Sequence, residues 1–401
     1  MTMKGNKGEW SEIYIFLKLM ENGRVYAADE NMNRIKTVYL NIKKIIREEI
    51  KGKKIEYYTG DPGNILLNGI EYGPETNASK YGYYRQKLWD ELKIANRGNG
   101  IVCDDVEKFL DMIHIHKLKA PAAKSSMYFG GTQDITMQIE DYRSGAMSVV
   151  GFSCKSDFSS KSTLFNASKD NTNFIFEIIG SMSDDIMNEF NNTFDYRNQC
   201  IENPDDADII DVIKKPVVAI KRRMAILKKC GCTLEYIGMP VNSAERNIVL
   251  SGGQEMPVIL ANMLKAYYFD GEGQAQYSSI ESGIQYVCLH NVASYDFEDI
   301  ESIYRRKVGD LLYDMFTGMR LSKPWDGRRE VNGGYIIAKN DGEVLAYHTI
   351  IADEFKDFLV RQLGFESPSA SRHDYMSIYK NNNRYYLKLN LQVRFKGNIK
   401  V

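Results

Sequence analysis

Gln133-Asp-Ile-Thr-Met-Gln-Ile-Glu-Asp141, followed after a turn by Met147-Ser-Val-Val-Gly-Phe-Ser-Cys-Lys-Ser156, is the stretch on which the fold turns. Ile135, Met137 and Ile139 alternate with Asp134, Thr136, Gln138 and Glu140, the period of two that marks a strand with one buried face. Tyr142-Arg-Ser-Gly145 has the composition of a turn, and Met147, Val149 and Val150 open a second strand ending near Lys155. Together they predict a β-hairpin. With the turn centred near residues 144–145, antiparallel pairing sets Asp134 opposite Lys155, where facing Cβ atoms lie about 4.5–5.5 Å apart. Such a pair fits an ordinary surface ion pair, worth under about 1 kcal/mol. It also fits phosphodiester hydrolysis, which needs a carboxylate to hold a cation and a group to orient or deprotonate the attacking water. The ligands on offer are oxygens, the Cys154 carbonyl among them, and oxygens suit Mg2+.

Upstream, Trp10, Ile13, Tyr14, Leu17 and Met20 have the spacing of one helix face over 9–20, with Gly8 at its start and Gly23 at its end. Glu9 and Glu12 fall on or beside that apolar arc, a costly place for a carboxylate without a partner. A metal is one such partner; the positive end of the helix is another. Further helices are predicted over 39–50 and 106–113, and after the hairpin over 172–190. Residues 205–316 read as largely helical, including 255–268 and 297–316. Strands return over 334–338, 343–350 and 385–395. The reading is an α/β chain of the α+β kind. It divides into a core over 1–200 with the first helix and the hairpin, a mainly helical region over 201–330, and a β-rich region over 331–401.

A chain of 401 residues predicts two or three domains. With 43% hydrophobic and 26% charged residues, no run of 18 apolar residues and no signal-peptide pattern, it reads as a soluble protein of the cytoplasm. The six cysteines are scattered, only Cys230 and Cys232 lie close, and a C-x-C spacing closes no zinc knuckle. His114 and His116 alternate on a predicted strand without forming a metal motif. A net charge of −1 leaves nucleic-acid binding to local clusters. One of these is Lys214, Lys215, Lys221, Arg222, Arg223, Lys228 and Lys229, which as a solvated helix face needs no function and which could also contact DNA. No Walker-type loop is present, which speaks against an ATP-driven translocating nuclease.

Five segments occur in one order along the chain: Gly5-Asn-Lys-Gly-Glu-Trp-Ser-Glu-Ile-Tyr14, Tyr26-Ala-Ala-Asp-Glu-Asn31, Gly151-Phe-Ser-Cys-Lys-Ser156, Thr163-Leu-Phe-Asn-Ala-Ser168 with Asn173-Phe174, and Leu387-Lys-Leu-Asn-Leu-Gln-Val-Arg-Phe395. They resemble the HpaII family of type II restriction endonucleases. The resemblance implies a PD-(D/E)XK-type nuclease fold, a mixed sheet flanked by helices that presents Asp134 from one strand and Lys155 from the next. Ser153 occupies the position of the usual second acid, and Gln133 stands where proline is usual. The missing carboxylate must then come from Glu12 on the first helix or from Glu177 on the helix after the hairpin. The resemblance further implies Mg2+ as cofactor, double-stranded DNA as substrate, a short palindrome with CCGG as the first reading, and a homodimer at least on DNA. It also implies a companion DNA methyltransferase acting on the same site, and no membrane association. The same residues leave open a structure-specific or repair nuclease of this fold, or a DNA-binding protein whose nuclease centre has decayed.

Cutting needs phosphate contacts, and specific cutting needs base contacts. Lys117, Lys119 and Lys124 before Asp134, and Ser156, Lys161 and Asn166 after it, suit phosphate. Asn390, Gln392 and Arg394 alternate along the last strand as if sharing one face, and with Arg372 and His373 they suit base edges. A plain solvated strand face has the same pattern.

Overall fold

The computed structural model describes residues 3, 5–29, 31–50, 52–95, 101–119, 133–141, 145–156, 158, 163–192, 216–271, 276–329, 331–348 and 352–396, with backbone alone for 216–219. Lys124, Lys161, Lys214 and Lys215 lie outside the described residues. The strands are β1 (Arg24–Ala28), β2 (Arg34–Ile50), β3 (Lys53–Tyr58), β4 (Ile65–Leu67), β5 (Ile70–Glu71), β6 (Ile135–Asp141), β7 (Met147–Ser156), β8 (Thr163–Phe165), β9 (Asn173–Ile179), β10 (Thr233–Gly238), β11 (Gly334–Ala338), β12 (Val344–His348), β13 (Leu363–Phe365), β14 (Ile378–Asn381), β15 (Arg384–Asn390) and β16 (Val393–Phe395). The helices used below are α1 (Lys7–Asn22), α2 (Ala78–Ile94), α3 (Asp104–Met112), α4 (Asp184–Asn192), α5 (Pro216–Lys229), α6 (Asn242–Gly252), α7 (Met256–Lys265), α8 (Ile280–Leu289), α9 (Ile300–Thr317), α10 (Ala352–Gln362) and α11 (Ala370–His373). The chain forms two compact units, one of residues 1–162 with 328–358, the other of 163–327 with 359–401.

In the first unit, α1 starts where Asn6 accepts the Glu9 N–H at 3.0 Å while the Glu9 carboxylate accepts the Asn6 N–H at 2.9 Å, a reciprocal cap. It ends at Gly23 in the left-handed conformation. Trp10, Ile13, Tyr14, Ile15, Phe16, Leu17, Leu19 and Met20 are all buried, so α1 is a core helix rather than one with a single apolar stripe. It shares its core with Val25, Leu40, Ile42, Ile45, Met137, Ile139, Val150, Phe152 and Ile336 from the strands.

The sheet is mixed: β1 pairs with β12 and β11 with β7 in parallel, the other neighbours being antiparallel. The order β1-β12-β11-β7-β6-β2 closes on itself through a β1–β2 pairing, giving a six-stranded ring from which β3, β4 and β5 extend. Two strands of this ring, β11 and β12, come from the region after residue 330. Their entry depends on Gly334, whose φ is +124° and where a Cβ would sit 2.0 Å from the Tyr347 carbonyl oxygen. On the opposite face of these strands, Tyr347 stacks on Phe355 and Phe358 of α10.

The second unit holds an antiparallel sheet, β10-β9-β15-β14, a smaller one, β13-β16-β8, and a helical layer including α6, α7, α8 and α9. In α5, Arg223 is buried and donates to the carbonyls of Met376 and of Asn191, its guanidinium 5.2 Å from the centre of the Phe190 ring in α4. That member of the basic cluster is a core strut, whereas Lys221, Lys228 and Lys229 are exposed.

Three predicted elements differ. Residues 39–50 form a strand, not a helix: a bulge between Ile42 and Lys44 breaks the alternation, so Leu40, Ile42, Ile45 and Ile46 mimic helical spacing. The predicted helix over 172–190 is β9, with Phe174, Phe176 and Ile178 buried in alternation, then a turn at Gly180 and the shorter α4. The predicted strand over 385–395 is two strands in different sheets, because the Leu391 N–H turns to the Thr172 carbonyl at 2.8 Å. His114 and His116 are not on a strand. His114 has a φ of +60° and stacks on Tyr72, and His116 lies 3.1 Å from Asp111.

Tyr14 fastens α1 to the loop before β12, its buried hydroxyl donating to the Gly342 carbonyl at 2.6 Å. Tyr14→Phe leaves that carbonyl unmatched and is expected to cost about 1–2 kcal/mol. The denaturant midpoint should fall with an unchanged slope; an unchanged midpoint would show that the bond contributes nothing.

Candidate active site

The hairpin forms, two residues out of the expected register. Asp141 and Ala146 bracket the turn, Ile135 faces Phe152, and Asp134 therefore faces Ser153 rather than Lys155. The cause is a turn centred one residue earlier than its composition suggests, and each residue of shift at the turn moves the partner by two.

This register determines what Asp134 does. Its N–H closes the ladder on the Phe152 carbonyl at 2.9 Å. One carboxylate oxygen, Oδ2, accepts the Cys154 N–H at 2.7 Å and the Ser153 hydroxyl at 2.9 Å. The other, Oδ1, has no donor among the described residues. Ser153 thus adds no charge at the position of the usual acid; it orients the acid already there. Since the N–H and C=O of a strand residue face the same edge, the Cys154 carbonyl is on the Asp134 side. Its thiol is on the opposite face, buried and pushed well up by that burial and then by the charges of Asp134 and Glu12, so no thiolate is present.

Lys155 lies two residues beyond Ser153 on the same face of β7. It is half-buried and has no hydrogen-bond or ion-pair partner among the described residues. The simple surface ion pair with Asp134 is therefore not formed. Ser156, expected to contact phosphate, points to the other face with Cys154 and is 8% exposed.

From α1, Glu12 reaches the same place. Its pKa is pushed up to about 7, first by burial and then by the charge of Asp134, against the opposing pull of Lys119, Arg47 and Lys155. Its nearest cation is the Lys119 ammonium at 3.9 Å, too long for a tight pair. Glu9, one turn earlier, is used by the helix cap. Glu177 lies on β9 in the second unit, not on a helix, where Arg384 holds it at 3.1 Å.

Nothing in the sequence marks Arg47, which lies in the segment expected to be helical and found as β2. From β2 it binds the buried Glu49 at 2.8 Å and the Lys117 carbonyl at 2.9 Å, with Phe16 of α1 under its guanidinium. It braces the segment carrying Lys119. Gly151 was legible only as a motif letter: a Cβ there would lie 2.5 Å from the Gln133 side chain, the neighbour of Asp134.

The predicted base readers on the last strand are internal to the second unit. Asn390 is fully buried and donates to Thr172 and Asn173; Gln392 is 9% exposed and bonded to Glu366; Arg394 is tied to Glu366 and Thr163. The chain crosses between sheets at Leu391, so the alternation never presents one solvent face. Arg372, Asn166 and Lys169 are exposed, and His373 is half-buried.

Asp134 with an undonated Oδ1, Glu12 near enough to feel its charge, a backbone carbonyl on the Asp134 side and no thiolate make an oxygen-donor set suited to a hard cation such as Mg2+. Among the described residues no group of three or more His, Cys, Asp or Glu side chains is arranged to hold a metal ion by itself, so a cation here would keep several waters.

No helix of the described residues is long and apolar enough to cross a membrane. No solved structure matches the chain. A curated relative, the type II restriction enzyme HpaII of Haemophilus parainfluenzae, is 29% identical over 394 residues, 98% of each chain. The family model of the HpaII restriction endonuclease matches residues 6–395. A match of that extent, with the hairpin and α1 inside it, places this chain in the HpaII restriction endonuclease family.

Proposed function

We propose that this protein is a Mg2+-dependent type II restriction endonuclease that hydrolyses both strands of duplex DNA at a short palindrome, CCGG being the first sequence to test. The observation that carries the reading is the meeting of two carboxylates and one unpaired lysine at the open end of a β-hairpin. The hairpin, its parallel neighbour β11 and the packed α1 agree with a PD-(D/E)XK-type core, here curled into a ring.

Asp134 and Glu12 would hold the cation, with the Cys154 carbonyl as a third oxygen. Bound there, Mg2+ would offset the charge of the scissile phosphate and acidify the attacking water. Asp134 aims Oδ1 outward because Ser153 and the Cys154 N–H hold Oδ2. Lys155, unpaired, donates to the attacking water or to a phosphate oxygen. Glu12 rather than Glu177 completes the set, since the Glu177 carboxylate is already matched by Arg384. Lys119, Lys124, Lys161 and Asn166 are the proposed phosphate contacts, and Arg372 and His373 the proposed readers. A palindrome implies two such chains on DNA, and host DNA would be protected by a companion methyltransferase modifying the same site.

Purified protein with Mg2+ is expected to cut a sequenced genome into discrete fragments, with Lys155→Ala and Asp134→Ala each losing at least about 1,000-fold in rate while unfolding normally. A smear, or cutting of branched DNA alone, would defeat the site-specific reading. Ser153→Ala removes one of two bonds to Asp134 and is expected to slow cleavage about 10-fold; wild-type rate would mean that the hydroxyl does not orient it. Near pH 7 Glu12 is partly protonated, and a cation must displace that proton. Mg2+ binding should therefore release protons at pH 6.5, strengthen as pH rises through 7 and level off about one unit above it. Calorimetry in buffers of different ionisation heat reads this directly, and a Glu12→Gln protein that releases as many protons would remove Glu12 from the site.

A further inference from the structure

In the second unit, the basic side chains of β14, β15 and β16 are all matched by carboxylates. Lys380 meets Asp184 at 2.9 Å, Arg384 meets Glu177 at 3.1 Å, Lys388 meets both Asp170 and Asp374 at 2.9 Å, and Arg394 meets Glu366 at 2.9 Å. Beside this matched sheet stand two exposed cations, Lys169 and Arg372, that have no acceptor among the described residues. They are neighbours: the pKa of His373 is held down by burial and then by the charges of Arg372 and Lys169.

The backbone beneath them is unusually well fixed. Lys169 and Asp374 take left-handed φ values of +46° and +52°, a conformation non-glycine residues hold only when their surroundings impose it. Those surroundings are visible. The fully buried Asn173 amide donates to the carbonyls of His373 and Asp374, each at 3.1 Å, so the end of α11 is tied directly to β9. Asn390 locks Asn173 in turn, donating to its side-chain oxygen at 2.6 Å and to the Thr172 hydroxyl at 2.9 Å. Lys388 clamps Asp170, next to Lys169, to Asp374, next to His373. Buried asparagines carry a desolvation cost that an apolar pair would avoid. What they achieve here is a rigid turn with free cations on its outer side, the preorganisation that base reading requires.

We propose that Arg372 is a specificity-determining residue, a bidentate donor to a guanine edge of duplex DNA, with Lys169 beside it on a phosphate, and that Asn173 and Asn390 are the positioning residues that hold the pair. This rests on the proposed reading of the chain as a DNA-cutting enzyme. The recognised duplex is first defined without cleavage, by selecting bound sequences from a randomised pool with the full chain in Ca2+, so that a failure to cut remains a separate result. Binding of that duplex and of a scrambled one is then titrated at several salt concentrations. Arg372→Ala and Arg372→Lys are both expected to reduce discrimination between the two by about 10–100-fold, the lysine keeping the charge but not the fork. Lys169→Ala should weaken both duplexes alike and lower the salt slope by about one. Asn390→Ala should resemble Arg372→Ala in discrimination if it folds; Arg372→Lys carries the test if it does not. Wild-type discrimination in both Arg372 variants, or no sequence preference in the wild-type selection, overturns the proposal.

Discussion

The hydrogen bond from the Cys154 N–H to the Asp134 carboxylate is the contact on which the candidate site depends. A β-ladder that stops leaves backbone donors unmatched at its open end, and an unmatched donor in a half-buried place costs as much as a lost hydrogen bond. Asp134, one residue before β6 begins, supplies the acceptor. The same bond ends the hairpin, sets the side-chain rotamer and turns the second oxygen outward. Sheet register and the aim of the carboxylate are thus one constraint. The surroundings reinforce it: Asn332 takes the Gly151 N–H at 2.9 Å, and Gly151 leaves room for Gln133.

Much of this was legible in the amino-acid sequence, and what was not has definite physical causes. The hairpin and α1 were readable because period and end signals agree, alternation with a turn in one case, helical spacing bounded by Gly8 and Gly23 in the other. β2 was misread because a bulge changes the phase of an alternating pattern without leaving a mark in composition. β9 was misread because Phe174 to Ile179 is apolar on both faces except at Glu177, and such a run fits a buried helix as well as a strand. The two-residue register error followed from locating a turn by its residue types, when only backbone hydrogen bonds fix its centre. Glu12 could be singled out from its place on an apolar arc, but its meeting with Asp134 depends on tertiary packing, as does the bracing role of Arg47. Asn390 and Gln392 mislead in the opposite sense: polar side chains in alternation look like a wet face, and burial gives Asn390 the side chains of Thr172 and Asn173 and Gln392 that of Glu366 instead.

Matched charges stand beside unmatched ones around the candidate sites of each unit. In the first, Glu21 is shared between Lys18 and Arg85, and Lys44 is held by Glu56, while Glu12 has only a distant ammonium and Lys155 no partner among the described residues. In the second, the paired lysines and arginines of the strands contrast with Lys169 and Arg372. Groups left incomplete inside otherwise completed networks are those with the most to gain from a cation or from a polyanion.

Ring closure also bears on how the protein behaves when crowded. An open sheet ends in strands whose unpaired N–H and C=O groups can recruit a strand from another molecule, the usual start of aggregation. Here β1 is bonded on both sides, to β12 and to β2, so β6, which Asp134 precedes, and β7, which carries Lys155, lie within a loop of pairings rather than at a margin. The free margin of the nine-stranded sheet falls to β5, two residues long, beyond the far end of β4. A margin that short offers little template for a foreign strand, so the part of the fold that carries the candidate site has little open edge, among the described residues, at which to join a neighbour's sheet.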